Sequence, residues 1–141
     1  GVDLIAEQIR IAQGEKLRFK QSDIKFQGHV IEFRINAENP KTCMPSPGLI
    51  THYHRPGGIG IRVDDFIYTG YSVSPHYDSM ISKVIVQADS RAECIARSLR
   101  ALGETVVGGI STNIELHKEI LKDSNFRENT YNTNFLSEKM L

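Results

Sequence analysis

Apolar and polar residues alternate along residues 29–38, the clearest pattern in the chain. The odd positions from 31 to 37 are apolar, and the even positions from 32 to 38 are Glu32, Arg34, Asn36 and Glu38. A period of two sends the two sets to opposite faces of a β-strand. The pattern therefore predicts a strand with one face in the core and a row of charged and amide groups on the other.

Helical spacing of apolar residues occurs near both ends of the chain. Residues 3–13 predict a helix that Asp3 caps and that Gly14 ends in a left-handed turn. Residues 131–141 predict a short final helix. Two further helices begin with a capping box, a Ser or Thr followed three residues later by Glu. These boxes are Ser90 with Glu93, in a helix that Gly103 ends, and Thr112 with Glu115.

Short strands are predicted through the middle of the chain. They cover residues 49–54, 60–64, 66–74 and 83–88, after a proline-punctuated loop at 40–48. Residues 15–27 offer only isolated apolar positions, for a short strand or for anchoring side chains. The order of one helix, then strands, then helices predicts an α+β fold, a mostly antiparallel sheet with flanking helices, in one domain over residues 1–141.

Composition narrows the functional classes. Lys and Arg number 17 and Asp and Glu also number 17, a balance that argues against a nucleic-acid or membrane-surface partner. Apolar runs such as Val84–Val86 fall far short of the ~20 residues of a membrane helix. Two cysteines outside any CxxC pair indicate reduced thiols and a cytoplasmic protein. Because a helical pattern is already under way at Asp3, we expect a piece excised from a larger chain.

Arg34 is the first candidate for chemistry. It lies between Glu32 and Asn36 on one strand face, so a carboxylate can orient its guanidinium group. A held arginine is suited to bind a carboxylate, a phosphate or a developing oxyanion, and the spacing does not choose among these. The alternative is an ordinary solvated sheet face, which shows the same alternation.

Other polar groups are weaker candidates. The acidic and aromatic segment 75–80 is typical of a loop at the edge of a site, or of a turn in which Asp78 caps the next element. Residues 57–60 are glycine-rich but match no phosphate-binding pattern, which favours a tight turn. His52 and His54 share a strand face without a third ligand, so no metal site is predicted. No nucleophile is paired with a base, which excludes a hydrolase triad.

Six motifs, in order along the chain, resemble those of the biotin carboxylases. Residues 32–40 resemble E-x-R-I-N-A-E-D-P, and residues 77–83 resemble Y-D-S-M-I-x-K. The remaining four are Gly1–Leu4 (G-V-D-L), Pro45–Gly48 (P-S-P-G), Arg55–Gly58 (x-P-G-G) and Gly109–Asn113 (G-I-x-T-N). The resemblance covers essentially the whole chain and implies the C-terminal domain of this family of ATP-grasp ligases.

The resemblance also implies roles for individual residues. Arg34 would be catalytic and contact the ureido oxygen of biotin, with Asp78 and Glu32 at the edge of the same site. Thr133 would lie near the adenine edge of the ATP site. Ile59, where the family has an aromatic residue, and Arg62 would lie at a dimer interface.

The implied parent enzyme carboxylates biotin on a carrier protein, using MgATP and bicarbonate. The resemblance is strongest to the biotin carboxylases of acetyl-CoA carboxylase, which perform its first half-reaction in fatty acid biosynthesis. It implies carboxyltransferase proteins as further partners and a homodimer as the assembly. The ATP-binding elements would precede Gly1, so the isolated domain is expected to be inactive. A pyruvate or propionyl-CoA carboxylase parent, or a non-catalytic docking or dimerisation module, remains the alternative.

Overall fold

The computed structural model describes residues 1–139, which form five α-helices and seven β-strands. The helices are α1 (Leu4–Ala12), α2 (Arg91–Glu104), α3 (Ile114–Lys122), α4 (Ser124–Glu128) and α5 (Phe135–Lys139). The strands are β1 (His29–Asn36), β2 (Gly48–Leu49), β3 (His52–His54), β4 (Ile61–Asp65), β5 (Ser72–Val73), β6 (Met80–Ala88) and β7 (Val106–Gly108).

All strand pairs in the described chain are antiparallel. The largest sheet has the order β1-β6-β4, and two small sheets pair β2 with β5 and β3 with β7. Helix α2 packs on one face of the large sheet, where its Leu102 joins Ile35 and Val84 in a fully buried core. The predicted α+β class with a mostly antiparallel sheet and flanking helices is confirmed.

The alternating strand has the predicted orientation. Phe33 and Ile35 are buried on the core face of β1, whereas Glu32 and Arg34 are exposed on the other. Apolar burial on one face fixes the register, because a slip of one residue would turn every core side chain outward. In this register Arg34 lies directly opposite Lys83 of β6.

The helix signals were correct at α1 and at the start of α2. The carboxylate of Asp3 accepts a hydrogen bond from the amide of Ala6 at 3.0 Å, and Gly14 has a φ of +86° just beyond the helix. The hydroxyl of Ser90 accepts one from the amide of Glu93 at 3.3 Å. The prediction that α2 ends at Gly103 was wrong, since the helix continues through this residue to Glu104.

Thr112 was a wrong prediction for the cap of α3. The N-cap residue is Asn113, and its side chain makes no capping hydrogen bond with its own helix. The amide group of Asn113 is bonded to β1 instead. A tertiary contact therefore replaces the local cap that the sequence pattern indicated.

Several strand boundaries differ from those predicted. The stretch 49–54 divides into β2 and β3, because the amide of Ile50 bonds Tyr71 whereas that of Thr51 bonds Gly108 in a different sheet. The stretch 66–74 contains only β5, β6 begins at Met80 rather than residue 83, and residues 15–27 hold a single 3-10 turn in place of a strand.

Three short elements lie toward the C-terminal end of the chain. β7 and α4 were missed in the sequence, since both are very short. The predicted final helix is present as α5, and its last two positions, Met140 and Leu141, lie outside the described residues. None of the helices in residues 1–139 is both long and apolar enough to cross a membrane.

Candidate functional site

The solvent-facing side of the large sheet, which we call the polar face, contains the candidate site. Lys83 of β6 lies between Arg34 of β1 and Asp64 of β4 in the strand register. Side chains directly opposite in an antiparallel pair have Cβ atoms ~4.5–5.5 Å apart. The polar face therefore brings charged groups from three strands into one row. Lys83 belongs to a motif recognised in the sequence, but its place beside Arg34 was not predicted.

Glu32 holds the guanidinium group of Arg34. The Nε of Arg34 donates a hydrogen bond to Oε1 of Glu32 at 3.0 Å, and the Arg34 side chain is 68% exposed. Within residues 1–139, no side chain or backbone oxygen accepts a hydrogen bond from its two terminal nitrogens. The fork is thus oriented by one carboxylate and presents its remaining N–H groups to an incoming anionic oxygen.

The end of β1 is tied to the turn that precedes β6. Nδ2 of Asn36 donates to Oε1 of Glu38 at 3.2 Å, and the hydroxyl of Ser79 donates to the same oxygen. The amide of Ala37 donates to the carbonyl of Ser79 at 2.7 Å. These bonds connect the two strongest sequence motifs, residues 32–40 and 77–83, at one end of the polar face.

A second arginine–carboxylate pair lies on β4. The guanidinium of Arg62 donates two hydrogen bonds to Asp64, from Nε to Oδ1 and from Nη2 to Oδ2, each 2.8 Å long. Hydrogen bonding to Arg62 lowers the pKa of the Asp64 carboxyl, and the same bonds raise the pKa of Arg62. Both groups stay charged near neutral pH. Arg62 is exposed, and Ile59 is 92% exposed in the preceding turn.

Asp78 lies in the turn before β6. Its Oδ1 accepts a hydrogen bond from the amide of Met80 at 2.7 Å, the capping role that the sequence left open. It also lines a cavity of about 350 Å³ with the aromatic residues Phe66 and Tyr77, and Arg34 does not line that cavity. The placement of Asp78 at the edge of an Arg34 site stays a prediction.

Thr133 lies apart from the sheet. It is an exposed residue in the turn before α5, and no described hydrogen bond joins it to the polar face. Its predicted contact with an adenine ring stays a prediction. The structure thus brings Glu32 and Arg34 together and does not connect Thr133 with them.

The other sequence candidates have structural explanations. Residues 57–60 form a tight turn in which Gly58 and Gly60 have φ values of +105° and +77°. A side chain at Gly60 would meet the carbonyl oxygen of Gln87 at 2.5 Å, so glycine is required there. Nδ1 of His54 lies 3.0 Å from the carbonyl oxygen of Glu104. Among residues 1–139, no group of three or more His, Cys, Asp and Glu is arranged to hold a metal ion.

His117 of α3 approaches β1 behind Arg34. Its Nε2 lies 3.0 Å from the carbonyl oxygen of Arg34, and its ring meets that of Phe33 edge-on, with centroids 5.5 Å apart. Burial lowers the pKa of His117 below its ordinary 6.5, and the bond to the Arg34 carbonyl opposes that shift only in part. The ring is therefore neutral at pH 7, with Nε2–H as donor.

A pH dependence of stability follows from His117. Since its pKa is lower in the folded state, the unfolded chain takes up the proton first, and the free energy of unfolding falls as the pH drops through 6.5. The loss levels off once the pH is below the folded-state pKa. Urea unfolding at pH 7.5 and 5.5 is expected to show a larger loss for the wild type than for H117Q. Equal losses in the two proteins would contradict this assignment.

The fold and the polar face together define a class of protein. The family model described as "Biotin carboxylase C-terminal domain" matches residues 32–138, which include residues 32–36 of β1 and the motif of residues 77–83. The chain belongs to this family, as the motif resemblance implied.

Relatives across bacteria and archaea agree with this assignment. The chain is 54% identical over 140 residues to the biotin carboxylase of Haemophilus influenzae, covering 99% of this chain and 31% of that protein. It is 52% identical over 139 residues to a pyruvate carboxylase subunit from Methanothermobacter thermautotrophicus, covering 98% of this chain and 28% of that protein.

A solved structure shows the same fold. The biotin carboxylase domain dimer of the 2-oxoglutarate carboxylase of Hydrogenobacter thermophilus, in complex with MgADP, ADP and bicarbonate, superposes with a TM-score of 0.90 at 46% identity. The match covers 97% of this chain and 30% of that one. The chain therefore spans under a third of the length of these relatives.

Proposed function

We propose that this chain supplies the catalytic arginine of a biotin carboxylase, an ATP-dependent ligase that carboxylates carrier-bound biotin with bicarbonate. The observation that carries the proposal is the Arg34 guanidinium on an exposed sheet face, held at Nε by Glu32, with no hydrogen bond from its terminal nitrogens to any of residues 1–139. A fork oriented in this way is suited to a planar group whose oxygen gains negative charge during reaction.

The residues of the polar face fit a biotin ureido oxygen better than a metal ion. When bound, biotin offers a ureido nitrogen as the acceptor of the carboxyl group. Arg34 would donate its terminal N–H groups to the ureido oxygen as that nitrogen loses its proton. Glu32 keeps the guanidinium in place, and Lys83 opposite adds positive charge that favours the same anion.

ATP and Mg²⁺ are proposed to bind mainly outside this chain. Among residues 1–139, no group of three or more His, Cys, Asp and Glu is arranged to hold a metal ion, and no step is assigned to these residues through MgATP. The complex of the Hydrogenobacter relative with MgADP and bicarbonate supports use of these ligands by the complete enzyme. Thr133 is proposed to lie at the adenine edge.

An exposed apolar face on α1 supports a larger polypeptide. Leu4, Ile5 and Ile9 are 70%, 65% and 55% exposed, whereas the residue that α1 buries is Glu7, 4% exposed and bonded to Arg18. Apolar side chains left in water along one helix face favour burial by another part of the protein. We propose residues 1–141 as a C-terminal domain and the ATP-grasp half as the part that covers this face.

The complete enzyme is proposed to serve acetyl-CoA carboxylase in the cytoplasm. Its partners would be the biotin carboxyl carrier protein, the carboxyltransferase proteins and a second copy bound through Ile59 and Arg62, with Asp78 at the edge of the biotin site. The dimer of the Hydrogenobacter relative supports the homodimer. The second candidate is a pyruvate carboxylase parent, which the Methanothermobacter relative supports.

Reconstitution tests the proposal directly. The isolated chain is expected neither to hydrolyse ATP nor to carboxylate free biotin, because the machinery for MgATP is proposed to lie elsewhere. Adding the separately purified remainder of the full-length protein is expected to restore carboxylation that depends on MgATP and bicarbonate. The assay measures carboxylated biotin with labelled bicarbonate.

The control for reconstitution is the same mixture made with R34A. Restored activity that disappears with this variant would support both the parentage and the role of the strand. Association of the two parts without activity would favour a docking module. Biotin-dependent ATP hydrolysis by the isolated chain would refute the proposed division of labour.

A further inference from the structure

Strand β1, which contains Arg34, is an edge strand of the large sheet. In the sheet order β1-β6-β4, β6 pairs with one side of β1 only. In an antiparallel strand the N–H and C=O of one residue point to the same side, and so do those of the residue two positions along. The N–H and C=O groups of Arg34 and Asn36 point to the side of β1 that faces away from β6, where they need hydrogen-bond partners other than a strand.

Asn113, at the start of α3, is the partner of this edge. Its Nδ2 donates to the carbonyl of Arg34 at 3.1 Å, and its Oδ1 accepts from the amide of Asn36 at 2.9 Å. Its own backbone amide donates to the carbonyl of Asn36 at 3.2 Å. One buried residue thus provides partners for the carbonyl of Arg34 and for both the amide and the carbonyl of Asn36, as a neighbouring strand would.

His117 adds a second donor one helical turn later. Its Nε2 also bonds the carbonyl of Arg34, so that this oxygen accepts from two side chains of α3. The edge-on contact of its ring with Phe33 fixes the residue before Arg34 as well. Asn113 and His117 therefore hold the backbone of β1 at Arg34 and Asn36, and His117 also contacts the side chain of Phe33.

The start of α3 gives up local stability for this contact. Asn is among the best N-cap residues because its side chain can bond the first free amides of a helix. The Asn113 side chain makes no such bond and uses both of its polar atoms on β1. A local rule that is broken in favour of a distant contact points to a role for that contact beyond the helix itself.

We infer that Asn113 and His117 are positioning residues for Arg34, which fix the backbone from which its guanidinium reaches the substrate. The inference rests on the proposed function, because that function assigns Arg34 a contact with the ureido oxygen of biotin. Glu32 orients the guanidinium group through its bond to Nε, while Asn113 and His117 hold the backbone of β1 through their bonds to Arg34 and Asn36. Displacement of a catalytic group by ~1 Å is enough to cost about 100-fold in rate.

The test uses the full-length carboxylase that contains this chain. N113A removes both amide bonds and is expected to lower kcat/KM for free biotin by about 10- to 100-fold. H117L, which loses the donor, is expected to lower it as well. H117Q keeps an N–H donor at the same distance along the side chain and is expected to restore most of the activity. N125A, on α4 away from β1, is the matched control and is expected to leave activity unchanged.

A double-mutant cycle separates positioning from general stability. If Asn113 acts through Arg34, the loss caused by N113A is expected to disappear in the R34A background. Equal losses in both backgrounds would overturn the inference, as would unchanged kcat/KM in N113A while R34A is impaired. If N113A fails to fold, the H117L and H117Q pair decides, and equal activity of those two variants overturns it. Unchanged carboxylation by R34A would overturn the proposed function itself, and the inference with it.

Discussion

Replacing Arg34 with alanine in the full-length carboxylase is expected to lower the turnover of free biotin by about 100-fold or more, the scale of losing one oxyanion donor. The side chain is exposed, and its single described bond is to Glu32, so its removal leaves no buried group unpaired. The loss should therefore appear in catalysis and not in the unfolding temperature. Initial rates with labelled bicarbonate, measured beside thermal unfolding, separate the two.

Arg34→Lys tests whether geometry matters besides charge. Lysine retains the positive charge but lacks the planar fork, so its Nζ cannot bond Glu32 and present two further donors in one plane. It is expected to recover only part of the lost rate. Arg127→Ala, at an exposed arginine on α4, is the matched control. A normal rate in Arg34→Ala would sink the role proposed for this residue.

Ile35→Ala is expected to have the largest effect on stability, lowering the free energy of unfolding by about 2–5 kcal/mol. Ile35 is 0% exposed and packs within the core beneath α2. Its removal combines a loss of apolar burial with a cavity that the close-packed sheet and helix fill only in part. Urea unfolding of the chain, followed by circular dichroism, measures the change.

Val30→Ala on the same strand is the control for Ile35→Ala. Val30 is 58% exposed, so shortening its side chain leaves no cavity, and the expected cost stays within about 1 kcal/mol of strand propensity. Similar losses in the two variants would show that strand propensity, and not core packing, determines the stability of β1. A loss in Ile35→Ala alone would assign it to the core.

Prediction from the sequence succeeded best where the structure depends on near neighbours. The alternation over residues 29–38 identified β1, its two faces and the pair Glu32–Arg34, because residues two apart on a strand share a face. The cap at Ser90 was also correct, since it joins residues only three apart. The family motifs likewise lie in short continuous segments.

Prediction from the sequence failed where two distant segments compete for the same polar group. Thr112 and Glu115 matched a capping box, yet Asn113 occupies the cap and bonds a strand 77 and 79 residues earlier. The division of residues 49–54 between two sheets has the same cause, since each half pairs with a different distant strand. The spacing of residues close in sequence does not indicate which distant segment a polar group will bond.

The sequence by itself determined the α+β class, which follows from the order of the elements along the chain. It also determined the orientation of β1 and the pair Glu32–Arg34, which follow from spacing along that one strand. The tertiary structure alone decided that Lys83 lies opposite Arg34 and that Asn113 and His117 lie behind it. The reason is that backbone polar groups at a sheet edge must find hydrogen-bond partners, and the packing of the whole chain selects which residues reach them.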